Sequence, residues 1–111
     1  MSRADAPRLA DIRAAIETIQ DHVSSGTFDR KTSDAVLNNL VVIGEAASRL
    51  SDEARSQAPE IPWSKVVGLR NLLAHEYFRI DLEVISSIIE GPLEALRVAV
   101  DRLLDGRANA H

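Results

Sequence analysis

Apolar residues recur at alternating spacings of three and four along most of the chain, and that rhythm admits one kind of secondary structure. Leu9, Ile12, Ile16, Ile19 and Val23 form a first seam. Steps of three and four keep returning to one face of a helix with 3.6 residues per turn, whereas a strand repeats every two. Val36, Leu40, Ile43, Ala47 and Leu50 form a second seam. Leu82, Ile85, Ile89, Leu93, Leu96, Val100 and Leu103 form a last one. Aromatic residues are only 4% of the chain, with five glycines and four prolines, too few of each for a turn-rich sandwich or barrel.

The punctuation between the seams sets the expected boundaries. The first helix spans residues 7–23 and is closed by Ser24-Ser25-Gly26, a glycine just past a helix end. Residues 26–31 read as a loop, and a second helix opens near Thr32. Gly44 lies inside it, where glycine costs about 1 kcal/mol relative to alanine. Close approach of a neighbouring helix explains its presence; room for a ligand is the alternative. Ser51, followed by Asp52 and Glu53, reads as the N-cap of a short helix. Pro59 and Pro62 bracket a break, and Pro62 suits the first position of the next helix, over residues 62 to 77 or 78. Asp81 caps a last helix, with a kink or brief interruption at Gly91-Pro92. The polar tail, residues 105–111, is expected to fray. The expected fold class is all-α: an antiparallel helical bundle of four main helices plus one short helix, in a single domain over residues 1–111.

Composition excludes several function classes. There is no cysteine, so disulfides, thiol nucleophiles, iron–sulfur clusters and cysteine zinc sites are all excluded. Thirteen Lys+Arg against seventeen Asp+Glu give a formal charge of −4, which argues against coating nucleic acid through bulk charge and leaves room for a local basic patch. The first twelve residues carry Arg3, Asp5, Arg8 and Asp11 with no apolar run, unlike a targeting segment. No apolar stretch approaches the roughly 20 residues that span a bilayer. The expectation is a cytoplasmic protein with no membrane partner.

One stretch carries chemistry: Gly68-Leu69-Arg70-Asn71-Leu72-Leu73-Ala74-His75-Glu76-Tyr77-Phe78. Arg, Asn, His and Tyr fall within about two turns of one helix. Asn71 and His75, four apart, share a face; so do Arg70 and Tyr77, seven apart. Arg70 and His75 are about 140° apart around the helix, so one copy does not aim both at a single atom unless Arg70 reaches around. A structural reading stands beside the functional one: an Arg–His–Tyr network can tie down a helix end, and the helix dipole favours a protonated His75 in the last turn. The functional reading is specific. Histidine suits proton transfer near neutrality. Arginine grips a phosphate with a planar fork. Together they suit in-line attack by an RNA 2′-hydroxyl on the adjacent phosphodiester, a reaction that needs no metal or cofactor. His22, His75 and His111 are too scattered in sequence to suggest a metal cluster.

These residues resemble the HepT family of the HEPN superfamily, the toxin halves of toxin–antitoxin pairs. The resemblance covers nearly the whole chain. It rests on Asp34-Ala35-Val36-Leu37-Asn38-Asn39-Leu40 with Ile43-Gly44-Glu45-Ala46-Ala47, on Pro59-Glu60-Ile61-Pro62-Trp63, and on the 68–78 stretch, which matches the family's Arg-x4-His-x-Tyr motif. It implies a helical bundle that forms a homodimer with both motif helices lining one cleft, and a metal-independent endoribonuclease acting on RNA within a type VII-like pair. It further implies that Arg70 and His75 are catalytic, that Asn71 supports them, and that Tyr77 is modified. The modifier would be a cognate minimal nucleotidyltransferase antitoxin that attaches AMP to the Tyr77 hydroxyl. A non-catalytic binding module for that nucleotidyltransferase is the alternative function, and the acidic balance speaks for it.

Other residues receive plainer readings. Trp63 is expected to be a packing anchor rather than a platform for a base. Glu45 is read as an exposed charge, with a hydrogen bond near the cleft as the alternative. Lys65 and Arg79 flank the motif as candidate RNA-backbone contacts, or as ordinary surface charge.

Overall fold

The computed structural model describes residues 2–26, 30–76 and 82–108, with the backbone alone at 30, 72, 74–76, 82–84 and 107–108. The described chain is helical with no strand. Its elements are α1 (Asp5–Ser24), α2 (Arg30–Ser48), α3 (Asp52–Ser56), α4 (Trp63–Glu76), α5 (Leu82–Glu90) and α6 (Pro92–Ala108). The all-α bundle expected from the seams is what forms. The interruption expected at Gly91-Pro92 divides the last helix in two: the chain turns at Gly91 and Pro92 opens α6, with Ala95 N–H bonding back to the Gly91 carbonyl at 3.1 Å. Proline has no N–H to continue α5, but it fits a helical first turn.

The three seams become the core. Leu9, Ile12, Ile16 and Ile19 of α1, Val36, Leu40, Ile43 and Ala47 of α2, and Val100 of α6 are wholly buried. Ile85 of α5 and Leu73 of α4 join the same cluster. Helix α2 packs against both α1 and α4, while α6 packs against α1 and α5. The element that carries the motif is thus held from one side by α2.

The ends of the helices follow local chemistry. Gly26 has φ of 80° and donates its N–H to the Val23 carbonyl at 3.2 Å, a left-handed closure of α1 that a residue with a Cβ would adopt only under strain. Ser51 caps α3 as expected, its hydroxyl accepting from Ala54 N–H at 3.1 Å. Arg55 of α3 reaches back to the carbonyls of Ala47 and Ser48 at 2.9 and 3.2 Å, closing the end of α2. Trp63 is buried, and its indole N–H donates to the carbonyls of Arg55 and Ala58 at 3.1 and 3.0 Å. It is the packing anchor that the sequence suggested.

Three boundaries differ from expectation. Helix α1 starts at Asp5 rather than residue 7, because the Asp5 carboxylate accepts from Ser2 N–H at 3.0 Å and organises the turn before it. Helix α2 begins at Arg30 rather than near Thr32. Helix α6 runs to Ala108, into the segment expected to fray. Gly106 lies within it, and the only left-handed glycine among the described residues is Gly26, so nothing there breaks the helix.

Asp5 is the one buried charged residue of the described core, at 1% exposure. Its carboxylate also accepts from the Ser51 N–H at 2.8 Å and the Ser51 hydroxyl at 2.6 Å. Burial pushes this carboxyl up, but the Ser51 and Ser2 hydrogen bonds outweigh it and hold the group below its ordinary value. One carboxylate therefore pins the start of α1 to the start of α3.

Candidate functional site

Helix α4 carries the candidate residues, and its register is fixed by what it buries. Leu73 is buried, and Val66, Val67 and Leu69 are partly buried against the core. Arg70 and Asn71 are consequently exposed, as is Lys65 one turn earlier. His75 belongs to the last described turn of α4, about 7.5 Å along the helix axis from Arg70 and about 40° round from Asn71. Tyr77, Arg79 and the expected cap Asp81 lie outside the described residues.

Helix α4 passes close over Gly44 of α2 at Val66 and Arg70. A methyl group at Gly44 would stand 3.0 Å from the Arg70 backbone nitrogen and 3.1 Å from the Val66 carbonyl oxygen. The close helix approach inferred from Gly44 is therefore present, and the neighbour is the motif helix itself. Next to Gly44, Glu45 accepts a hydrogen bond from the Arg70 guanidinium, Nη1 to Oε2, at 2.7 Å. Its other oxygen lies 3.3 Å from Nη2 of Arg49, one turn on and just past the end of α2. The Arg70 and Glu45 side chains are 43% and 40% exposed.

Glu45 is thus both things the sequence allowed, an exposed charge and a hydrogen-bond partner beside the motif. The bond from Arg70 holds its carboxyl below the ordinary value, aided by the charges of Arg70 and Arg49 and opposed by partial desolvation. It is ionised at neutral pH, so Arg70 faces a full negative charge. An exposed pair of this kind is weak and exchanges readily with another anion. A phosphate can therefore compete for the Arg70 fork.

Behind Glu45 a groove of about 320 Å³ runs between α1 and α2, bordered by Arg8, Asp11, Val42, Glu45 and Arg49 among others. Its two cations and two anions offset each other, so it is no basic track for an RNA backbone. Among the described residues no group of three or more His, Asp or Glu side chains is placed to hold a metal ion. No described helix is long and apolar enough to cross a membrane.

Sequence reasoning put Arg70, Asn71 and Lys65 on one helix and missed that Arg70 is already paired with Glu45. The signal was available in part. A glycine inside an amphipathic helix marks a crossing, and the residue after it stands at the crossing's edge.

Comparison with known proteins bears on the same segment. A family model described as ribonuclease HepT-like matches residues 9–103, a span that includes all of α2 and α4. A probable ribonuclease HepT of Thermococcus cleftensis is 32% identical over 108 residues, covering 93% of this chain and 98% of its own. A candidate RNase of Caldanaerobacter subterraneus is 30% identical over 103 residues, covering 88% and 92% of the two chains. Another, from Methanocaldococcus jannaschii, is 37% identical over 86 residues, or 73% of this chain and 71% of its own. No solved structure matches the chain. With nearly its whole helical core inside the matched span, the chain belongs to the ribonuclease HepT-like family.

Proposed function

We propose that this chain is a metal-independent endoribonuclease toxin, acting in the cytoplasm and silenced by a nucleotidyltransferase partner. The observation that carries the reading is an exposed arginine fork on α4, five residues before a histidine, in a chain of a ribonuclease family. His75 takes the proton of an RNA 2′-hydroxyl. The freed O2′ attacks the adjacent phosphorus, the P–O5′ bond breaks, and O5′ leaves with a proton. The products are a 2′,3′-cyclic phosphate and a 5′-hydroxyl. Arg70 leaves Glu45 for the phosphate and offsets the negative charge that grows on its non-bridging oxygens. Asn71, exposed beside Arg70 and on the face of His75, supports the pair by hydrogen bonding. Lys65 and Arg79 add contacts to the RNA backbone.

One helix does not converge Arg70 and His75 on a single phosphate, given their 140° offset. A homodimer supplies the second histidine needed to protonate the leaving oxygen. Tyr77, two residues past His75, is the acceptor of AMP from the cognate minimal nucleotidyltransferase. An adenylate there adds bulk and negative charge where the RNA phosphate binds.

The test is cleavage of a labelled oligoribonucleotide in excess EDTA. Wild type should leave cyclic-phosphate ends, and His75→Ala and Arg70→Ala should each be slower by about 10²-fold or more. Loss of activity in EDTA, or unimpaired cleavage by both variants, overturns the mechanism. The net charge of −4 favours a second reading, a non-catalytic module that binds the nucleotidyltransferase. Under that reading the wild type does not cleave but still forms the complex.

A further inference from the structure

Arg70 is gripped twice by consecutive residues of α2. The missing side chain of Gly44 lets the Arg70 backbone approach to a distance at which a methyl group would already be tight. Glu45 then takes the far end of the same side chain at 2.7 Å. Glu45 has a second partner on its other oxygen, Arg49 at 3.3 Å, which favours the orientation that faces Arg70. An exposed arginine otherwise samples many rotamers, and its charge is spread over all of them. The bond that Arg70 donates to Glu45 uses one of its five N–H groups, so Glu45 can orient the fork before a phosphate takes it.

We propose that Gly44 and Glu45 form a two-point seat that positions Arg70 for phosphate binding, with Glu45 as the positioning residue and Arg49 as its anchor. The proposal rests on the reading of Arg70 as the cation of the active site. Glu45 touches no reacting atom. It sets where the guanidinium waits, and its second partner keeps it in place when the phosphate takes Arg70. Loss of the seat therefore lowers turnover more than substrate affinity, since misplacement of a group affects the transition state most.

The experiment uses the full chain with Glu45→Ala, Glu45→Gln, Arg49→Ala and Arg70→Ala, each checked for an unchanged melting temperature. Cleavage of an oligoribonucleotide gives kcat and KM. The Arg70 side-chain N–H resonance, identified by its loss in Arg70→Ala, reports order at the guanidinium directly. Glu45→Ala should lower kcat on the order of tenfold with KM changed less than about threefold, and should collapse the Arg70 resonance to the averaged position of a free arginine. Glu45→Gln keeps an acceptor oxygen at the same reach and should recover part of both. Arg49→Ala should shift both in the same direction by less. An unchanged Arg70 resonance in Glu45→Ala overturns the seat, as does a kcat equal to or above wild type while Arg70→Ala is inactive. A collapsed resonance with Arg70→Ala cleaving normally leaves the seat standing and overturns instead the assignment of Arg70 to catalysis.

Discussion

Adding one methyl group at Gly44 tests the geometry on which the site depends. Two opposing effects can be sized. Alanine in a helix interior is worth about 0.5–1 kcal/mol over glycine, because the unfolded chain has less freedom to lose. Against that, the new Cβ meets two backbone atoms of α4 at 3.0 and 3.1 Å, and backbone in a packed helix cannot swing aside as a side chain would. Overpacking of this sort costs about 1–3 kcal/mol. Gly44→Ala should thus range from neutral to roughly 2.5 kcal/mol destabilising. Gly68 provides the control, since a Cβ there meets nothing within 4 Å. Gly68→Ala should gain the full 0.5–1 kcal/mol or so. Followed by circular dichroism at 222 nm, the helical signal of the two variants should melt at least about 4 °C apart, at roughly 4 °C per kcal/mol for a chain of this size. Melting temperatures within about 1 °C of each other would refute the close crossing, and with it the account of how Arg70 is placed.

Three further outcomes are expected. Incubation with the partner nucleotidyltransferase and ATP should add AMP units of about 329 Da to wild type, abolishing cleavage, whereas Tyr77→Phe should gain none and escape silencing; mass spectrometry decides. Light scattering at micromolar concentration should give about twice the 12.1 kDa of one chain, and a clean monomer would oppose the composite cleft. Asp5→Ala should lower stability by about 1–3 kcal/mol, as it strands the Ser51 and Ser2 donors. Because the folded Asp5 carboxyl is held below its ordinary 3.8, the extra stability is complete above that pH and fades as pH falls through it toward the folded value. Urea titrations at pH 7 and pH 3 should show the wild type losing this advantage over Asp5→Asn at the lower pH.

The apolar seams carried most of the architecture, because burial of one helical face leaves its period in the sequence. Leu9 through Ile19 and Val36 through Ala47 are buried where that period puts them. Caps were legible for the same local reason: Ser51 bonds three residues ahead, within a single turn. What escaped were pairings between residues distant along the chain. Asp5 meets Ser51 across 46 positions and Arg70 meets Glu45 across 25. A charged residue near a terminus reads as solvated unless its partner is known, and the start of α1 was misplaced with it. The candidate site divides along the same line: its residue types and spacing could be read from the motif, but its electrostatics depend on a neighbouring helix.

The five residues of α3 have a bearing on how the molecule can be re-engineered. A helix that short has no stability of its own in water. It persists because Arg55 closes the helix before it and Trp63 of the helix after it closes α3 in turn. The passage between α2 and α4 is thereby a rigid spacer rather than a tether, and its length sets the phase in which the two helices meet. Inserting even one residue between Ser56 and Trp63 would rotate or slide the motif helix against its neighbour. A label or affinity handle placed there should uncouple Arg70 from Glu45 while leaving the α1–α2 hairpin intact. The break at Gly91, where a Cβ would meet open space, is the better point for such a graft.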